Sequence, residues 1–210
     1  MKYPKKLVIA TTNSGKLKEF EKLLTSLEVE IFSLKDFPEI GEIVEDGKTF
    51  AENALLKART VSEKTGLVSL ADDSGLEVDF LEGQPGVNSA RFSGIPTDDT
   101  RNNNKLLNLL GDLPLERRTA RFKCAIAIVI PDKREMVVEG ICEGLILKEL
   151  RGEGGFGYDP LFYLPLYDQT FAQLDIEIKN KISHRGQATK KAIGILREIF
   201  SSCQDYKKML

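Results

Sequence analysis

The sequence predicts an α/β protein around a mixed β-sheet, on three observations. It opens as strand, loop, helix and strand; two later apolar runs bracket a pair of aspartates; and a long antiparallel hairpin follows. Leu7–Thr11 is a short apolar run closed by a polar, glycine-containing turn, which reads as a buried strand. Leu17, Phe20, Leu23, Leu24 and Leu27 recur at helical spacing, placing an amphipathic helix from about Gly15 to Leu27 before a second strand at Val29–Leu34. After a polar loop with Pro38, Gly41 and Gly47, Thr49-Phe50-Ala51-Glu52 forms a capping box. The helix it starts carries Phe50, Ala54, Ala58 and Val61 on one face and ends at Gly66.

Strands at Leu67–Ala71 and Leu76–Leu81 then flank Asp72-Asp73-Ser74-Gly75, and Glu82–Pro96 is irregular from its glycine and proline density. Asp98–Leu110 is a helix stopped by Gly111. Thr119–Ile130 and Glu135–Leu147 around Pro131–Arg134 form the hairpin, and Arg151–Pro160 is too rich in glycine for regular structure. Ser183 caps a last helix that buries Ala188, Ala192, Leu196 and Ile199. With no internal repeat or linker, residues 1–210 are expected to form one α/β unit.

Bulk properties exclude several function classes. A formal net charge of −2 creates no global field for nucleic acid, so any phosphate site must be a local cluster of cations. Lys2, Lys5 and Lys6 precede an apolar run of only Leu7 to Ala10, too short for a signal peptide, and no later run could span a bilayer. The three cysteines, Cys124, Cys142 and Cys203, show no metal-ligand spacing, and a reducing cytoplasm is the expected location.

Four segments can carry chemistry. Thr11-Thr12-Asn13-Ser14-Gly15-Lys16 joins a strand to a helix, where amides, hydroxyls and a lysine suit a phosphate chain; taken alone, the segment fits a plain polar turn better, and the pattern is not a Walker A loop. Asp72 and Asp73 emerge from a buried strand, where neighbouring side chains face opposite ways, so one can orient the loop while the other holds magnesium or activates water. The bland alternative is an acidic turn. In Gly154-Gly155-Phe156-Gly157-Tyr158-Asp159-Pro160, flanking glycines leave an aromatic face open for stacking on a base, unless Phe156 merely pins the loop to the core.

The fourth segment is Lys179 with Ser183-His184-Arg185, the latter at the start of the last helix. Cations are disfavoured at the positive end of a helix dipole by ~0.3–1 kcal/mol. Lys16 breaks the same preference at the first helix, so an anion or polar ligand is expected between the two starts. The alternative is an exposed basic cap.

In this order, the segments resemble the inosine triphosphate pyrophosphatase family, whose bacterial members are XTP/dITP diphosphatases. Thr49-Phe50-Ala51-Glu52-Asn53-Ala54 with Lys57, Pro85–Gly94 and Ser183-His184-Arg185-Gly186-Gln187-Ala188 extend the match over nearly the whole chain. The resemblance implies a long curved mixed sheet with flanking helices, and two lobes around a central nucleotide cleft. It also implies a homodimer that uses Mg2+ to hydrolyse ITP, dITP or XTP to the monophosphate and pyrophosphate. By position, Thr11, Thr12, Asn13, Ser14, Gly15, Lys16 and Lys57 bind the triphosphate. Asp73 is the catalytic acid-base and a metal ligand with Glu45, and Ser74 lies beside it. Phe156 stacks on the base, in a pocket with Gly157, Tyr158, Asp159, Lys179, His184 and Arg185. The rivals are a related Maf-type pyrophosphatase and a nucleotide sensor that does not cleave; a nucleic-acid-binding module fits least, for want of a basic stripe.

Overall fold

The computed structural model describes residues 3–131 and 134–201. Its seven strands form one sheet in the order β2-β1-β3-β4-β5-β6-β7, and the chain divides into two compact units. The first comprises Met1–Asp73, Ala125–Glu139 and Gln187–Leu210; the second comprises Ser74–Cys124 and Gly140–Gly186.

In the first unit, β1 (Lys6–Ile9) pairs in parallel with β2 (Glu30–Ser33) on one side and β3 (Val68–Val78) on the other. Leu7, Val8 and Ile9 are all fully buried, as befits a central parallel strand covered on both faces. Helix α1 (Ser14–Leu24) buries Phe20 and Leu24. Helix α2 (Phe50–Thr65) has the anticipated capping box, Thr49 accepting from the Glu52 amide and Glu52 from the Thr49 amide. Gly66 ends it in the left-handed conformation.

The second unit has its own core, in which Leu76, Leu106, Phe122, Phe162 and Phe171 are buried. Helix α3 (Asp99–Leu110) is stopped by Gly111, as expected, and Asp98 caps its start. Strands β4 (Thr119–Val129) and β5 (Glu135–Ile146) form the anticipated hairpin. Ile130 N donates to Arg134 O and Ile146 N to Arg118 O, which keeps one antiparallel phase along its length. The turn residues Asp132 and Lys133, like Cys203, lie outside the described residues.

The fold departs from the sequence reading in two places. No turn separates two strands at Asp72–Gly75: β3 runs unbroken from Val68 to Val78. Both aspartates find partners within the sheet's surroundings, which removes the advantage a turn would give them. Three short elements were also too brief to leave a periodic signal: β6 (Phe162–Leu164), β7 (Gln169–Thr170) and α4 (Ile176–Ile182), which precedes α5 (His184–Ser201). Helix α5 buries Ala188, Ala192 and Leu196, with Ile199 only half-buried. Cys124 and Cys142 are both buried, and burial pushes the Cys142 thiol up to about 11. No helix among the described residues is long and apolar enough to cross a membrane.

Candidate active site

The first unit gathers the acids and lysines. The loop from Thr11 delivers Asn13 as the cap of α1, its Oδ1 accepting from the Gly15 and Lys16 amides at 2.9 and 3.1 Å. Those two amides are therefore taken up by the cap, while Thr12 and Ser14 are exposed and Thr11 accepts from the Asn13 amide. Lys16 Nζ lies 2.8 Å from Asp72 Oδ2, whose side chain is fully buried. The anion sought for Lys16 from its misfit with the helix dipole is thus supplied by the neighbouring strand.

Asp73, the next residue on β3, takes different partners. Asn53 and Lys57 are four residues apart on α2 and so share one face. Asn53 Nδ2 donates to Asp73 Oδ2 at 3.0 Å, and Lys57 Nζ lies 3.8 Å from Asp73 Oδ1 and 3.1 Å from Glu45 Oε2. Asn53 also accepts from the Gly47 amide at 2.8 Å, tying the Glu45 loop to the same side chain. Only glycine fits at position 47, where a Cβ would come within 2.6 Å of Asn53 Oδ1. Burial pushes the Asp73 carboxyl above its ordinary value, opposed by Lys57, Lys16 and the Asn53 hydrogen bond and assisted by Glu45.

Two lysines thus face three carboxylates in this cluster, so it carries no surplus of positive charge. Among the described residues, no group of three or more His, Cys, Asp or Glu side chains is placed to hold a metal ion. Glu45 and Asp73 are the two carboxylates on either side of Lys57. That donor set suits magnesium, which takes one or two protein carboxylates and completes its shell with water and substrate phosphates.

The second unit gathers the aromatic and basic residues. Phe156, half-buried, has Lys179 Nζ 5.4 Å and Arg185 Cζ 5.5 Å from its ring centroid. Lys179 and Asp159 form a buried ion pair at 2.6 Å, and Asp159 Oδ2 also accepts from the Phe156 amide at 2.9 Å. Burial pushes the Asp159 carboxyl up against the pull of Lys179. Gly155 adopts φ +76°, and any side chain there would collide with the Asp159 carboxylate. Gly157 donates to Asp99 and accepts from Asn103, while the buried Tyr158 hydroxyl donates to Ser89 O at 2.8 Å. Ser183 caps α5 through the Gly186 amide. His184 is buried and stacked on Phe122, centroids 4.7 Å apart and planes 10° from parallel. Arg185 is buried too and donates to Ser74 Oγ at 3.1 Å. The exposed basic cap is thereby excluded for these two residues.

A family model described as the Ham1 family matches residues 7–195, a span that contains both clusters. The chain belongs to the Ham1 family. Among relatives of this Ham1 chain, the dITP/XTP pyrophosphatase of Desulforamulus reducens is 59% identical over 195 residues, covering 93% of this chain and 97% of that protein. A dITP/XTP pyrophosphatase of Bacillus cereus is 50% identical over 193 residues, covering 91% and 94%. A solved HAM1 protein from Coxiella burnetii has a TM-score of 0.84 at 41% identity, covering 92% of this chain and 98% of that one. The Staphylococcus aureus Ham1 structure gives 0.83 at 39%, with the same coverage.

Asn53, Asp99, Asn103 and Phe122 of this Ham1 chain make contacts in the two clusters and were not among the expected site residues. Asn53 was open to detection, since a polar side chain four residues before Lys57 sits on the face otherwise made of Phe50, Ala54, Ala58 and Val61.

Proposed function

We propose that this chain hydrolyses ITP, dITP and XTP to the monophosphate and pyrophosphate, and so clears non-standard purine nucleotides from the nucleotide pool. The names carried by the relatives support the reaction class. The observation that carries the mechanism is the buried Asp73, raised by desolvation and bracketed by Asn53 and Lys57.

Attack of water on phosphorus needs charge neutralisation more than covalent catalysis. Glu45 and Asp73 would hold Mg2+, which supplies that neutralisation when bound. Asp73 orients or deprotonates the attacking water, its raised carboxyl being better matched to that role than an ordinary aspartate. Lys16 and Lys57 add charge for the triphosphate, with Thr11–Gly15 lining it. Phe156 stacks on the base. Gly157, Tyr158, Asp159, Lys179, His184 and Arg185 form its surroundings, and Ser74 receives the Arg185 hydrogen bond.

Selectivity follows from hydrogen-bond matching. Hypoxanthine and xanthine carry a carbonyl where adenine carries an amino group, so donors placed there would face a donor if adenine entered, a penalty of ~1–3 kcal/mol. The chain is further proposed to work in the cytoplasm as a homodimer, a state that sedimentation would test. The deciding experiment is a panel of ribo- and deoxynucleoside triphosphates with magnesium, with pyrophosphate and orthophosphate measured separately. ITP and XTP should release pyrophosphate far faster than ATP or CTP. Stepwise orthophosphate release, or equal rates on all nucleotides, would overturn the proposal.

A further inference from the structure

We infer that Asp99 and Asn103 of α3 are positioning residues that hold the Phe156 ring in its stacking pose by gripping both backbone groups of Gly157. The inference rests on the reading of Phe156 as the base platform. Phe156 lies between Gly155 and Gly157, and a chain with that much backbone freedom would present the ring in many poses. Four hydrogen bonds remove that freedom. The Phe156 amide is held by Asp159 at 2.9 Å, and the Tyr158 hydroxyl reaches Ser89 O. The other two come from α3: Gly157 N donates to Asp99 Oδ2 at 2.7 Å, and Asn103 Nδ2 donates to Gly157 O at 2.9 Å.

Asp99 and Asn103 are four residues apart and so project from one face of the helix. Their chemistries are complementary, an acceptor for the amide and a donor for the carbonyl. Asn103 is buried, and its Oδ1 has no hydrogen-bond partner among the described residues. An apolar residue would avoid that burial cost, so the asparagine is explained by what its other atom holds. The same helix fixes a second segment, Asn102 donating to Ala90 O and Lys105 to Phe92 O. Helix α3 is thus the frame on which the aromatic loop is set.

The test is steady-state hydrolysis of ITP by the full chain and by the D99A, D99N, N103A, F156A and D99A/F156A variants. D99A and N103A should raise KM by about 3–10-fold, the fold-change of one lost hydrogen bond, with kcat changed by less than about twofold. D99N keeps an acceptor oxygen and should restore KM. In the F156A background, D99A should add nothing further, because the ring it positions is gone. Asp99 is exposed, so D99A decides the matter even if N103A does not fold. Additive effects in the double variant, or a D99A enzyme with wild-type KM beside an impaired F156A, would overturn the positioning role alone. An unchanged KM in F156A would overturn the stacking reading itself, and this inference with it.

Discussion

Asn53 donates to Asp73 through one end of its amide and accepts from Gly47 through the other, so a single α2 side chain fixes both the candidate base and the loop bearing Glu45. That relationship makes Asn53 more than a neighbour. Asn53→Ala removes a bond that lowers the Asp73 carboxyl and releases Gly47. The acid limb of the pH–rate profile should move to higher pH, with kcat for ITP reduced about tenfold or more, as for loss of a hydrogen bond to a charged group. A profile superimposable on the wild type would remove Asn53 from the site.

Asp73→Asn should lower kcat by ~10²–10⁴-fold, the usual span of general-base contributions, while nucleotide binding persists. Retention of more than about a tenth of the rate would exclude Asp73 as base or metal carboxylate. Because burial raises this carboxyl in the folded chain, the folded protein takes up its proton at higher pH than the unfolded chain does. The wild-type rate should therefore fall on acidification as this carboxyl takes up its proton, with bound Mg2+ moving that fall to lower pH.

Stability should respond in the opposite sense. The charged Asp73 penalises the fold at pH values above its raised pKa, and the penalty vanishes below the unfolded value of 3.8. Asp73→Asn should consequently have the higher Tm at neutral pH, with the gain fading as the pH is lowered. Thermal melts of both proteins from neutral pH to below 3.8 would check the sign.

Lys16→Ala, Arg185→Ala and Phe156→Ala separate phosphate binding from base recognition. Lys16→Ala should weaken every triphosphate alike, and it should also destabilise the fold, by up to ~3–5 kcal/mol, because it strips the buried Asp72 carboxylate of its ammonium. Adding Asp72→Asn should restore Tm without restoring affinity. Arg185→Ala should narrow the gap in kcat/KM between ITP and ATP by ~1–3 kcal/mol. Phe156→Ala should weaken all purines, since stacking accepts any ring face. If Lys16→Ala shifted base preference and Arg185→Ala did not, the two clusters have been given each other's roles.

Arg118 provides a structural control. It is fully buried and donates to the carbonyls of Gly111, Ile146 and Leu147. Arg118→Ala leaves these acceptors short of a donor, at ~1–3 kcal/mol for each one stranded. At roughly 2–4 °C of Tm per kcal/mol for a chain of this size, a large fall in Tm is expected, with kcat per folded molecule preserved.

The residues that were legible in the sequence act over short distances along the chain. The Thr49 capping box, the Gly66 and Gly111 stops and the Ser183 cap each depend on neighbours a few positions away, and each appears in the structure. What could not be read were pairings set by the tertiary fold. Lys16 meets Asp72, and Gly157 meets Asp99 and Asn103, across separations that no periodicity encodes. The apparent turn at Asp72–Gly75 failed for the same reason: local preference favoured a bend, and distant partners made a strand the better home for both acids. Lys16 at the start of α1 needs no ligand to explain it, because Asp72 supplies its anion.

The unbroken β3 has a consequence for how this protein can change over time. Asp72, Asp73 and Ser74 are consecutive residues of one strand, and their side chains alternate in direction with a period of two. Replacing one side chain alters one contact. Inserting or deleting one residue within residues 68–71 reverses the phase of everything downstream, exchanging the direction of the carboxylate that meets Lys16 with that of the one that meets Asn53. Variation in the length of this segment should therefore be far more restricted than variation in its composition. The exposed stretches around Ile95 and Leu166 carry no such phase and are where the chain is free to grow or shrink.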